Sequence, residues 1–372
     1  MSQEIHILKG SILVYKVFDI GGSVNLAATE KLFSDKNSGG RFMLASDIRK
    51  AIIIHESPLS VKMDPAEVTI GGTKFTADIS ARVWHYGVLS VTMQLHIPEG
   101  IKWDDMVALS PLIENSKEMD ALAVSRCRTF CDKACACIEE PSLWSTNEDY
   151  ITYLIEKFDG AADPVELLEK ADVAGLILAE NKDELADFSR RSITENALQY
   201  AKNDLAVIDW NSALVVDPDG QRDVVDVIEF CLTHLLEMRF YDDLLETKLS
   251  TLYDSMDQKR PGIMHNPYYD MAAEASRRYM EFSEFLARIE NSLKTVGDSY
   301  LATVFRAASH EFRFEDWRKS TSRKMDTLAQ IAELLQGELN HRRSNILEII
   351  VIVLIAIEIV PLAVQIAQIV EK

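Results

Sequence analysis

Val68-Thr-Ile-Gly-Gly-Thr-Lys-Phe-Thr76 decides the fold class of the front of the chain. Two runs of β-branched and aromatic residues flank a Gly-Gly pair, the composition of a two-residue hairpin turn. Working outward, residues 5–19 and 51–55 are β-rich, and residues 80–97 read as a second strand pair turning through His85-Tyr-Gly87. Nine of the fifteen glycines lie in residues 1–100. The pairs Gly21-Gly22, Gly39-Gly40 and Gly71-Gly72 are turn glycines. GxGxxG and GxxxxGK[ST] are both absent, so no phosphate cradle is indicated.

Beyond residue 100 the pattern predicts helix over 102–158 with a break at Pro141, a strand over 173–179, and mostly helix over 181–203. Two short strands are expected in 205–216 around Asp209-Trp210-Asn211. Asp217-Pro-Asp-Gly220 is a turn; it lacks the downstream Glu of a calcium loop. From residue 221 the period changes. Ile228, Cys231, Leu235, Met238, Leu245, Leu249, Leu252 and Met256 step by three and four, with a polar slot at Asp242, which is a heptad seam. A breaker cluster follows at 259–267. Further seams run through Phe282, Leu286, Ile289, Leu293, Val296, Tyr300 and Val304, then Met325, Leu328, Ala332, Leu335 and Leu339. The predicted unit is a long antiparallel, coiled-coil-like hairpin, bent near Gly297 or at 310–314.

The chain of 372 residues carries 59 acidic and 39 basic side chains, a formal charge of −20. That balance excludes nucleic acid as a bulk partner, since phosphate binding needs a basic face. The acidity is local. Residues 1–269 carry 26 basic and 44 acidic groups, residues 270–343 carry 12 of each, and residues 344–372 carry one and three. A protein with a basic surface could therefore meet the front.

Cys127, Cys131, Cys135 and Cys137 lie on one helical stretch, the first three on one stripe. The spacing matches no standard zinc knuckle. Buried, inert thiols are the favoured reading and a metal or redox site is the other. None of the eight histidines has HExxH or HxH spacing, GxSxG is absent, and adjacent acids such as Asp104-Asp105 and Asp242-Asp243 point to different sides of a helix. No catalytic, cofactor-binding or metal residues are assigned and no cofactor is expected.

Arg342-Arg343 precede residues 346–370, a nearly aliphatic span of about 37 Å as a helix. A hydrocarbon core is ~30 Å thick. Two readings compete: a single-pass C-terminal membrane helix with Arg342 and Arg343 juxtamembrane, and a buried helix of a helical oligomer. The first is favoured on length and flanking charge. Glu358, Pro361, Gln365 and Gln368 step by three, four and three, so Glu358, Gln365 and Gln368 form one polar face suited to a helix–helix contact.

The stretch Arg342-Arg343-Ser-Asn-Ile-Leu-Glu348 with the Ile-rich run to Ile357-Glu358, together with Tyr86-Gly87-Val88-Leu89, resembles the YagE-type, required-for-meiotic-nuclear-division family. The resemblance implies a membrane-associated protein with no defined catalytic residues, supporting translation at a membrane.

The expectation is an α+β protein. Residues 1–220 form a mixed α/β globular region, β-rich over 1–100 and α/β over 101–220. Residues 221–343 form the helical hairpin and 344–372 a transmembrane tail anchor, with the body on the cytoplasmic or mitochondrial matrix side. The expected function is a non-enzymatic, homo-oligomeric, membrane-anchored scaffold or assembly factor. The alternative is a membrane-tethered enzyme or ligand-binding module in residues 1–220.

Overall fold

The structure is a computed structural model. It describes residues 4–33, 39–41, 57–180, 185–258 and 299–370, with separate positions between 273 and 287. The predicted strand at 51–55, the breaker cluster at 259–267 and most of the second seam lie outside the described residues.

The front is built on a sheet of nine strands: β1 (His6–Asp19), β2 (Gly39–Arg41), β3 (Leu59–Ile70), β4 (Thr73–Val83), β5 (Val88–His96), β6 (Ile101–Lys102), β7 (Asn147–Asp159), β8 (Leu205–Ile208) and β9 (Ser212–Val216). Their order is β2-β3-β4-β5-β1-β7-β9-β8, with β6 paired to β1. The β7–β9 pair is parallel, and the other pairings are antiparallel. The hairpin forms where expected. Gly71 and Gly72 have φ of 58° and 83°, a left-handed pair that only glycine adopts cheaply. The second strand pair turns at Gly87, and β8 and β9 flank Asp209-Trp210-Asn211.

Three segments of the front differ from the sequence expectation. Gly39 and Gly40, read as turn glycines, belong to β2 and pair with Val61 and Ser60 of β3. Residues 147–159 form the long strand β7, not helix. Register with β1 places Glu148, Tyr150, Thr152 and Leu154 on one face and Ile151, Tyr153 and Ile155 on the other. Both sets are buried, and a strand covered on both faces shows no alternation to read. Conversely, residues 173–178 form a short helix. Its start is fixed by the Asp172 carboxylate, which accepts a hydrogen bond from the Gly175 amide at 3.0 Å, a capping geometry that overrides the β preference of Val and Ile.

Helices cover both faces of the sheet. α1 (Leu26–Phe33), α2 (Trp103–Glu114), α3 (Lys117–Ala134), α4 (Pro164–Lys170), α5 (Val173–Leu178) and α6 (Asp187–Glu195) supply Leu26, Met106, Phe130, Leu167, Leu176 and Ile193 to the apolar cluster that contains Ile12, Val14 and Phe18 of β1. Leu13, Tyr15 and Val17 alternate to the opposite face. The first half of α7 (Asp223–Gln258) lies over that face, followed in the chain by α8 (Ser299–Glu311) and α9 (Phe314–Val370). Arg313, at φ 55°, breaks the chain between α8 and α9, within the 310–314 bend expected from sequence.

Contacts divide the chain into two units: Met1–Phe240 with Arg288–Arg318, and Tyr241–Ala287 with Lys319–Lys372. In the second unit the polar slot at Asp242 is filled. It accepts hydrogen bonds from Ser320 at 2.8 Å and Lys324 at 2.9 Å, and Lys324 also meets Glu246 at 2.8 Å. Partner numbers rise together along α7 and α9, so these two helices run in the same direction here.

The membrane anchor is corrected. No helix among the described residues is long and apolar enough to cross a membrane. Although α9 is continuous, Glu348 and Glu358 interrupt its aliphatic segment. The longest unbroken apolar run, residues 349–357, covers about 14 Å of the ~30 Å a hydrocarbon core requires. The transmembrane, tail-anchored assignment and its membrane localisation are therefore withdrawn.

Candidate functional site: an ionic layer beneath helix α7

Asp226, Glu229, Thr233 and Glu237 step by three, four and four along α7, which puts them on one side of the helix. All of them are at least nine-tenths buried as side chains or residues. They face the sheet rather than solvent. Arg82, on β4, donates to Asp226 at 3.1 Å and to Glu229 by a second, short contact. Arg82 and Ser90 are paired across β4 and β5, and Ser90 and Val17 across β5 and β1, so Arg82 shares its face with Tyr15. One turn further along α7, Tyr86 and Thr233 share a hydrogen bond of 2.8 Å. The His234 Nδ1–H donates to the Phe230 carbonyl at 2.8 Å, and its ring lies 5.9 Å from that of Tyr86. Farther on, Arg239 pairs with Glu148 of β7 and lies 5.9 Å from the Trp317 ring.

The layer is charged unevenly. Arg82 is paired with two carboxylates, Arg222 adds a second positive charge acting on Asp226, and burial makes every charge expensive. Burial pushes Asp226 up to about 6, opposed by Arg82 and reinforced by Glu229. Burial likewise pushes Glu148 up to about 7 against the pull of Arg239. Asp19, at the end of β1, is pushed up to about 7 by burial although it accepts the Gly21 amide. Tyr15 is held well above its ordinary value, first by burial and then by Glu229. Arg82 is itself held above its ordinary value: burial works against its charge, and the two carboxylates outweigh it. Among the described residues the buried Tyr15 Oη, Ser90 Oγ, Thr152 Oγ1 and Glu229 Oε1 have no hydrogen-bond partner. The chemistry available to such a layer is proton uptake and release.

A separate open depression of about 640 Å³ is lined by Trp210, Ser309, His310, Glu311, Arg313, Glu315 and Asp316. Within it Arg313 meets Asp316 at 2.7 Å and the His310 ring lies 3.1 Å from the Glu311 carboxylate.

The residues singled out from sequence fall elsewhere. Arg342, Arg343, Glu358, Gln365 and Gln368 belong to the α9 backbone, and their side chains lie outside the described residues. Cys127 and Cys131 are on α3, and Cys135–Cys137 form a 3₁₀ turn after it. Among the described residues no group of three or more His, Cys, Asp or Glu is placed to hold a metal ion. Sequence reading missed the ionic layer. Its signal was present, because the acidic positions 226, 229 and 237 interleave with the apolar seam at 228, 231, 235 and 238.

Fold and layer together define a mixed α/β sheet protein whose sheet is fastened to a long helix by buried ion pairs. The chain belongs to the family described as uncharacterized protein MJ0711, N-terminal domain, whose model matches residues 9–223. The uncharacterized protein MJ0711 of Methanocaldococcus jannaschii is 21% identical over 218 residues, 57% of this chain and 65% of that protein. The chain thus spans just under two thirds of the length of this curated relative. No solved structure matches. The family shown is an uncharacterised one, and the matches give no support to the YagE-type resemblance. The matched segment contains Tyr15, Arg82 and Glu148 and ends as α7 begins, so Asp226 and Glu229 lie beyond it.

Proposed function

We propose that this protein is a non-catalytic, self-associating scaffold whose copies meet through the distal part of α9. One observation carries the reading. Ile346, Leu347, the seven residues 349–355, Ile357 and Ile359 are each 47–63% exposed. Seven consecutive apolar positions turn through the full circumference of a helix. A helix that is apolar on all sides is one that ends up covered, and contiguous apolar surface of this kind marks an interaction site.

Charge favours a second copy as the occupant. The front, at −18, repels its own kind, whereas residues 270–343 carry 12 basic and 12 acidic groups and approach without net repulsion. Association is thereby directed to the helical end, leaving the acidic fronts free for a protein partner with a basic surface. Chemical cross-linking of the purified full chain tests the reading. Multimers are expected, and Ile350→Lys with Leu354→Lys should remove them. A cross-linking pattern unchanged by these substitutions would contradict it.

A further inference from the structure

Three of the unpartnered polar atoms beneath α7 belong to one place. Arg82 on β4 is opposite Ser90 on β5, and Ser90 is opposite Val17 on β1. Tyr15, two residues before Val17, points to the same face. It is the diagonal neighbour of Ser90, a separation of ~7–8 Å that an aromatic side chain spans. Glu229 reaches the same point from α7, where its Oε2 meets Arg82. After burial, the charges that act on the Tyr15 hydroxyl are those of Glu229, Arg222, Asp226 and Arg82, so it lies on the Arg82 side of β1. Thr152 is opposite Leu13, on the far side of β1, and stands outside the group.

Tyr15, Ser90 and Glu229 are 1%, 0% and 2% exposed. Among the described residues, Tyr15 Oη, Ser90 Oγ and Glu229 Oε1 bond neither to one another nor to any other group. Buried polar groups left in that state are costly. Their chemistry defines what would satisfy them. Each hydroxyl has a proton to donate, and burial keeps the one on Tyr15 in place. The Arg82-paired carboxylate oxygen accepts. The bridging group must therefore accept twice and donate once. A cation is opposed by Arg82, and an anion by Glu229 and Asp226. A neutral molecule that both donates and accepts is left, and buried waters typically make about three hydrogen bonds to such groups.

We propose that Tyr15, Ser90 and Glu229 form the binding site of a single internal water molecule. It accepts hydrogen bonds from the Tyr15 and Ser90 hydroxyls and donates one to Glu229 Oε1. The water thereby joins β1, β5 and α7 at one point and completes the ionic layer around Arg82.

The sign of a stability change tests the site. Tyr15→Phe and Ser90→Ala each delete one hydroxyl and little volume. Removing a hydroxyl that truly lacks a partner stabilises a protein, whereas removing one bonded to a held water destabilises it. The denaturant midpoint of the full chain should fall in each variant. In the double variant it should fall by less than the sum, because both substitutions release the same water. Deuteron magnetic relaxation dispersion should count one long-lived internal water fewer in the double variant than in the wild-type chain. A midpoint that rises in either variant, strictly additive losses, or an unchanged water count would overturn the proposal.

Discussion

Arg82 is the residue on which the sheet–helix contact turns. Replacing it with Met takes from the buried Asp226 and Glu229 their paired guanidinium, with Arg222 alone still favouring the Asp226 charge. Breaking a buried pair in this way costs roughly 3–5 kcal/mol. The denaturant midpoint should fall at an unchanged m-value. Arg82→Met combined with Asp226→Leu and Glu229→Met should recover most of the loss, since a well-packed apolar replacement is often neutral. A loss below ~1 kcal/mol in the single variant would mean the pair behaves as an exposed one. Arg82 was invisible as a partner from sequence. A lone Arg in an alternating strand reads as solvent-facing until α7 is placed over that face.

The same layer sets the pH dependence. Asp226, Glu148 and Asp19 are held at about 6, 7 and 7 in the folded chain, above their ordinary 3.8, 4.5 and 3.8. The native state therefore binds protons that the unfolded chain has released, and stability falls as pH rises from about 4 through 7. Thermal melts should give a higher midpoint at pH 5.5 than at pH 8. Asp226→Asn should flatten the slope. A midpoint that rises over this window would contradict these assignments.

At the scale of elements, the β3–β4 hairpin was legible because Gly71-Gly72 and the alternation on either side mark it directly, whereas Gly39-Gly40 carried the same signal and lies in β2. β7 was not legible, since both of its faces are covered. α5 was not, since its start rests on a single carboxylate cap. The seam on α7 was visible, yet the side of the helix that docks onto the sheet is the polar one, so hydrophobic periodicity alone pointed past the site. Tight loop packing gives a separate prediction. A Cβ on Gly87 would sit 2.0 Å from the Gly21 carbonyl oxygen, and φ there is 89°. One on Gly72, at φ 83°, would meet nothing within 4 Å. Gly72→Ala should cost only the left-handed strain of about 1–2 kcal/mol, and Gly87→Ala clearly more. Equal losses in chemical denaturation would show that the Gly21–Gly87 approach relaxes freely.

On the scale of the whole molecule, charge and apolar exposure are separated along the chain. The acidic groups are concentrated in residues 1–269, and the long exposed apolar run lies in α9. The sequence marked this segment as one needing cover, and Glu348 and Glu358, which cut its apolar run short of a membrane span, remove the expectation that a membrane supplies it. Light scattering coupled to size-exclusion chromatography of the full chain, without detergent, tests the self-association most directly. The account predicts a mass that is a multiple of 42.0 kDa, reduced to a single chain by Ile350→Lys with Leu354→Lys. A wild-type chain that elutes at 42.0 kDa across micromolar concentrations would contradict it.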